Sequence, residues 1–163
     1  VNRFILALGA FACVALAVAS DQASIKKIME HKSAQFIAAF KARDYAWFDK
    51  NSTADYTETS HGRVFKKAAA LGQMKMMLTA CKSIDVITEK MTGIKMQGKN
   101  VMVTSTTHFI GSLQGPSGKS AKIEDTAVQQ ELWVPTGSDY KIKSTVALSD
   151  NTLINGKPFK GAM

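Results

Sequence analysis

The chain's 163 residues allow one ordinary domain and little more. Apolar side chains make up 45% and charged ones 21%, with three prolines, which excludes a disordered or fibrous chain. Two cysteines exclude a disulfide-dense scaffold and a four-cysteine zinc module. The formal charge is +8, yet the lysines are scattered, with only Lys26-Lys27 and Lys66-Lys67 adjacent, and there are three arginines. No stripe interleaves aromatics with arginine, so the charge reads as a solvated basic surface and not as a nucleic-acid face.

The N-terminus reads as a secretory leader over residues 1–19. Arg3 is followed by an uncharged apolar run of 16 residues from Phe4 to Ala19. Ala17-Val18-Ala19 then supplies the small-x-small pattern of signal-peptidase cleavage ahead of Ser20-Asp21. The run is short for a membrane span, so no stable membrane anchor is expected. The expected address is export, periplasmic or secreted, in a bacterium. Cleavage after Ala19 removes Arg3 from the 21 basic residues, leaving 20 against 13 acidic ones, and leaves Cys81 as the single thiol. Cys81 ends an apolar helical pattern and reads as a buried structural residue.

Residues 23–43 carry Ile25, Ile28, Met29, Phe36, Ile37 and Phe40 at helical spacing, opposite Lys26, Lys27, Glu30 and Lys41. Arg43-Asp44 breaks this helix, and Tyr45 to Phe48 reads as a short second one. Asn51 to Thr53 is a loop, Ala54 to Thr59 is extended, and Ser60-His61-Gly62 turns the chain into a short strand at Val64-Phe65. Lys66 to Lys82 returns to helical spacing through Ala70, Met74, Met77 and Leu78, despite Gly72. Four long strands follow: Ile84 to Gln97, Val101 to Gln114, Ala121 to Pro135 and Tyr140 to Leu148. Their links are the hairpin signal Gly98-Lys99-Asn100, a mobile loop at Gly115-Pro116-Ser117-Gly118 and a tight turn at Thr136 to Asp139. The order predicts an α+β domain with helices over one face of an antiparallel sheet.

At this point the chain resembles the nuclear transport factor 2-like superfamily, and within it the SnoaL-like domains of unassigned function. The resemblance rests on Phe40-Lys41-Ala42-Arg43-Asp44-Tyr45, on Ala54 to Glu58 followed by His61-Gly62-Arg63, and on Trp133-Val134 with the turn before Tyr140-Lys141-Ile142. It covers residues 24–155 of a single domain, 20–163. It implies a cystatin-like cone, in which a strongly bent antiparallel sheet curls around the N-terminal helices and leaves a cavity. It also implies that the cavity takes a small apolar molecule, and that a homodimer forms through the outer sheet face. No cofactor is implied. The tyrosine and two aspartates that the family's isomerases use have no residue-by-residue match here.

Several polar residues are candidates for the inner face. Alternation sends Tyr56 and Glu58 to one face of the first strand and Asp55 and Thr57 to the other. A carboxylate beside a phenol can act as base and hydrogen-bond donor in a proton transfer. His61 sits at the turn. His108 shares a strand face with Thr104 and Thr106, a polar line that points into the cavity if that face is concave. Asp125, Gln129, Glu131 and Trp133 share one face of the third long strand, where Asp125 or Glu131 can be an acid opposite His108. The catalytic candidates are therefore His108, Tyr56, Asp55 and Asp125, and the ligand-binding candidates Tyr45, Trp47, Tyr56, Glu58, His61, His108 and Glu131. Met74, Met76, Met77, Met91, Met96 and Met102 can supply an adaptable apolar lining. His31, His61 and His108 are too dispersed for a metal motif. The leading expectation is an exported binding domain for an apolar ligand. The alternatives are an acid–base enzyme of the cyclase, isomerase or dehydratase type, and a dimeric interaction module.

Overall fold

The computed structural model describes residues 6–114 and 118–159, with side-chain surroundings from Gln22 onward. Three helices precede the long strands: α1 (Leu6–Ala42), α2 (Tyr45–Asn51) and, after the hairpin of β1 (Ser52–Ser60) and β2 (Arg63–Lys66), α3 (Lys67–Ala80). The strands β3 (Cys81–Gln97), β4 (Asn100–Gln114), β5 (Ser120–Thr136) and β6 (Asp139–Ile154) follow, and β7 (Lys157–Pro158) is a two-residue strand that the sequence pattern had not marked. Helix α1 starts within the segment read as a leader, whose residues 1–5 lie outside the described residues, as do Gly115 to Ser117 of the expected loop. Among the described residues no helix is long and apolar enough to cross a membrane.

Local chemistry explains the breaks. The Asp44 carboxylate accepts the Ala46 and Trp47 backbone N–H groups at 3.0 and 3.2 Å, so it stops α1 and caps α2 in one stroke. Asn51, expected in a loop, instead ends α2, with its amide donating to the Trp47 carbonyl at 2.8 Å. His61 and Gly62 both take positive φ, 50° and 72°, the geometry of a tight hairpin turn that suits the twist of β1 and β2.

The expected cone is not formed. The sheet has seven strands in the open order β2-β1-β6-β5-β4-β3, with β7 beside β6. No pairing joins the β2 edge to the β3 edge, and the sheet neither closes nor curls strongly around the helices. It is also mixed, because β1 runs parallel to β6, whereas β3 to β6 are antiparallel neighbours. That parallel contact is possible because α3 and the three following strands form a long crossover between β1 and β6. The helices cover one face, α1 against β3 and α3 against β1 and β2. The architecture is therefore α+β with an open sheet.

Two apolar clusters hold the layers. One joins Ala39, Phe40 and Phe48 to Leu78, Cys81, Ile87 and Phe109; the other joins Ile25 and Met29 to Val101, Val103 and Trp133. Phe40 meets Phe109 edge-on with ring centroids 5.7 Å apart, tying α1 to the middle of the sheet. Burying a ring of that size is worth about 2 kcal/mol. Cys81 is 3% exposed, as a structural thiol should be, although it opens β3 and does not end the helix.

Candidate functional site

Against the first cluster the sheet face and the helices line an open-sided cavity of about 430 Å³. Its roof is aromatic and methionine-rich, with Phe36 and Phe40 from α1, Phe48 from α2 and Leu71, Met74 and Met77 from α3. Its floor is polar. Strand alternation brings Tyr56 and Glu58 inward from β1, Thr107 from β4, and Asp125, Gln129 and Glu131 from β5. From β6 both Thr145 and Ala147 and, further on, Asp150 and Thr152 face inward. This change of phase comes from a bulge: Val128 pairs with Ser149 but Gln129 with Ala147, leaving Leu148 as the extra residue. A volume of this order suits one small organic molecule.

Glu58, Thr145 and Glu131 form one row across β1, β6 and β5. Two strand spacings separate the backbones of the glutamates, about 10 Å. Tyr56 donates its hydroxyl to Thr145 Oγ1 at 3.0 Å, in the middle of that arrangement. Glu131 is 9% exposed and accepts from Trp133 Nε1 at 2.9 Å and from Gln129 Nε2 at 3.4 Å. Burial, reinforced by the charge of Glu89, pushes its carboxyl up to about 8, so it is a neutral acid at pH 7. Burial also raises Glu58, which the Tyr56 hydroxyl partly offsets, and it drives the Tyr56 phenol further above its ordinary range. Asp125 is raised by burial too, although Thr152 Oγ1 donates to it at 2.6 Å.

The structure separates the candidates. Tyr56, Glu58, Asp125 and Glu131 share the cavity. His61 stands at its rim, with Nε2 at 2.9 Å from Asp150 Oδ2. His108 does not join them. Thr107 and Phe109 line the cavity, so alternation turns His108, with Thr104 and Thr106, to the opposite face, where Nε2 lies 3.6 Å from Glu124 Oε1. The expected acid opposite His108 is thus absent as a pair inside the cavity. Asp55 also points away, paired with Lys143, whose hydrogen bond holds the Asp55 carboxyl below its usual range. Tyr45 lies outside the main cavity and bonds Thr79 Oγ1 at 3.0 Å. Trp47 lines a separate water-sized void of about 20 Å³ together with Glu89, Glu131 and Trp133.

Of the methionines, Met74 and Met77 line the main cavity and Met91 the small void, while Met76 is 67% exposed. Sequence reasoning missed Asp150, Thr107 and Thr145. Thr107 lies on the face opposite the Thr104, Thr106 and His108 line, Thr145 is on a strand from which no candidate was drawn, and Asp150 is displaced from the phase of Thr145 by the Leu148 bulge. Lys32 was missed as well. It is 5% exposed, with Nζ donating to Asn51 Oδ1 at 2.9 Å and Asp139 Oδ2 at 2.7 Å. Among the described residues, no group of three or more His, Cys, Asp and Glu side chains is placed to hold a metal ion.

Neither a family model nor a curated protein sequence matches the chain. Solved structures do. A conserved protein from Planctomyces limnophilus superposes with a TM-score of 0.63 at 14% identity, covering 83% of this chain and 98% of its own. An NTF2-like protein from Cytophaga hutchinsonii gives 0.61 at 10% identity, over 75% of this chain and 95% of its own. A putative dehydratase from the NTF2-like family of Streptomyces avermitilis gives 0.58 at 13% identity, over 74% and 93%. At these identities the likeness speaks for the fold alone: this chain has the NTF2-like fold, that of the nuclear transport factor 2-like superfamily.

Proposed function

We propose that the chain is an acid–base enzyme of the SnoaL-like kind, of cyclase, isomerase or dehydratase type, acting on a small apolar substrate in the 430 Å³ cavity. The observation that carries this reading is the row Glu58–Thr145–Glu131 on the cavity floor. Glu131, neutral at pH 7, can donate a hydrogen bond to a substrate carbonyl oxygen, while Glu58 in its ionised form takes a proton from the adjacent carbon. Tyr56 keeps its proton and fixes the geometry through Thr145. The aromatic and methionine side chains of the roof give the apolar body of the substrate a surface to pack against. The dehydratase assignment of the Streptomyces relative agrees with this chemistry. Export through the leader at residues 1–19 and pairing through the outer sheet face remain part of the proposal.

The test is proton exchange. The protein is incubated with a panel of apolar cyclic ketones in heavy water, and deuterium uptake beside the carbonyl is read by mass spectrometry. Uptake that is lost in Glu58→Gln and reduced by about 10²-fold or more in Glu131→Gln is the expected result. Ketones that raise the melting temperature without exchanging deuterium would assign the cavity to binding without chemistry, the reading its apolar roof also suits.

A further inference from the structure

We propose that the cavity selects an apolar molecule bearing a protonated amine, with the ammonium group seated between Asp125 and Asp150. This rests on the reading of the cavity as the substrate site and names the class of molecule it takes. The chain has 21 basic residues, yet among the described residues no lysine, arginine or histidine lines the cavity, while Glu58, Asp125, Glu131 and Asp150 do. Among the described residues Glu58, Asp125 and Glu131 have no ion-pair partner, and Asp150 has only His61, which reaches it from the rim. An anionic ligand seated at Asp125 and Asp150 would meet like charge, with only His61 at the rim beside it.

Asp125 and Asp150 occupy one end of the floor. Asp125 pairs with Thr152 and Ala127 with Asp150, so the two carboxylates are diagonal neighbours on adjacent strands. Diagonal side chains of that length are within reach of one shared cation. The charge of Asp150 adds to the burial that raises Asp125, a repulsion that a bound cation would reverse. Thr107, Ala127 and Asp150 form a single cross-strand row, in which Ala127 leaves space between its neighbours. The oxygens of the two carboxylates face the three N–H donors that a primary ammonium carries. Glu58 and Glu131, one row removed, stay available for proton transfer.

The test is calorimetric binding of naphthylethylamine, naphthylethanol and naphthylacetate at pH 7 to the wild type, Asp125→Asn and Asp150→Asn. The amine should bind at least about 10-fold tighter than the alcohol, with no measurable binding of the acetate. Each asparagine variant should cut that preference to about 2-fold or less, and a thermal melt of each variant shows that it is folded. An alcohol that binds as tightly as the amine, or a preference that survives both substitutions, would overturn the proposal and leave the cavity intact as a site. Failure of all three to bind would instead remove the cavity as a site, and the amine preference with it.

Discussion

Trp133 Nε1 donates to Glu131 Oε2 at 2.9 Å, two positions along the inner face of β5. The indole gives the carboxyl a direct hydrogen bond inside an apolar wall, but it does not offset the burial that holds Glu131 neutral. A carboxyl raised from 4.5 to about 8 binds its proton more tightly folded than unfolded. Its contribution to stability is then fully present below the ordinary glutamate range and is lost as pH rises through about 8. The loss is on the order of 5 kcal/mol at most. Urea midpoints should therefore fall between pH 5 and pH 8 in the wild type and fall less in Glu131→Gln, where only the other raised carboxyls, Glu58 and Asp125, still contribute.

Two glycines should respond in opposite directions to alanine. At Gly72, inside α3, a Cβ meets nothing within 4 Å, so Gly72→Ala should stabilise by about 0.5–1 kcal/mol. That is a rise of about 1–4 °C in Tm. At Gly111 in β4 a Cβ collides with the Ser83 carbonyl oxygen and the Phe109 ring. Gly111→Ala should cost about 2 kcal/mol or more, since backbone is what must move. Thermal melts of the two variants read both signs.

Lys32 is the buried cation whose two acceptors differ in exposure. Asn51 is 7% exposed, whereas the Asp139 side chain is 59% exposed. Lys32→Met strands the Asn51 carbonyl oxygen and should destabilise by about 1–3 kcal/mol. Asp139→Asn can turn to water and should cost under about 1 kcal/mol. Chemical denaturation of the pair separates a buried anchor from a surface ion pair.

The Tyr56–Thr145 bond ties β1 to β6 where the two strands run parallel. Tyr56→Phe and Thr145→Val should each cost about 0.5–1.5 kcal/mol. The double variant should cost less than their sum, because both remove the same bond. A double-mutant cycle in urea measures that coupling.

Much of the fold was legible because each element had a local cause. Asp44 marked the α1–α2 break, Gly62 the first hairpin and Gly98 the second, and the Thr- and Val-rich runs marked the long strands. The parallel pairing of β1 with β6 was not, since a contact between residues 57 and 144 leaves no mark in either segment. The strongly bent, curled cone failed as an expectation for the same reason: how far a sheet curls depends on contacts between distant strands, which alternation within a strand does not specify. The site was half legible. Tyr56, Glu58, Asp125 and Glu131 follow from period-two alternation once one face is known to be inward. The face of His108 stayed open because its polar line reads the same on either side, and Asp150 was missed because the Leu148 bulge shifts the phase of β6.

The central claim is that Glu131 is a neutral acid in an apolar cavity at physiological pH. Carbon-13 NMR of glutamate-labelled protein, with Glu131→Gln to assign the signal, reads that carboxyl directly. The account predicts a protonated Glu131 at pH 7 that titrates near 8. A Glu131 carboxylate already ionised at pH 6, titrating in the ordinary glutamate range, would contradict it.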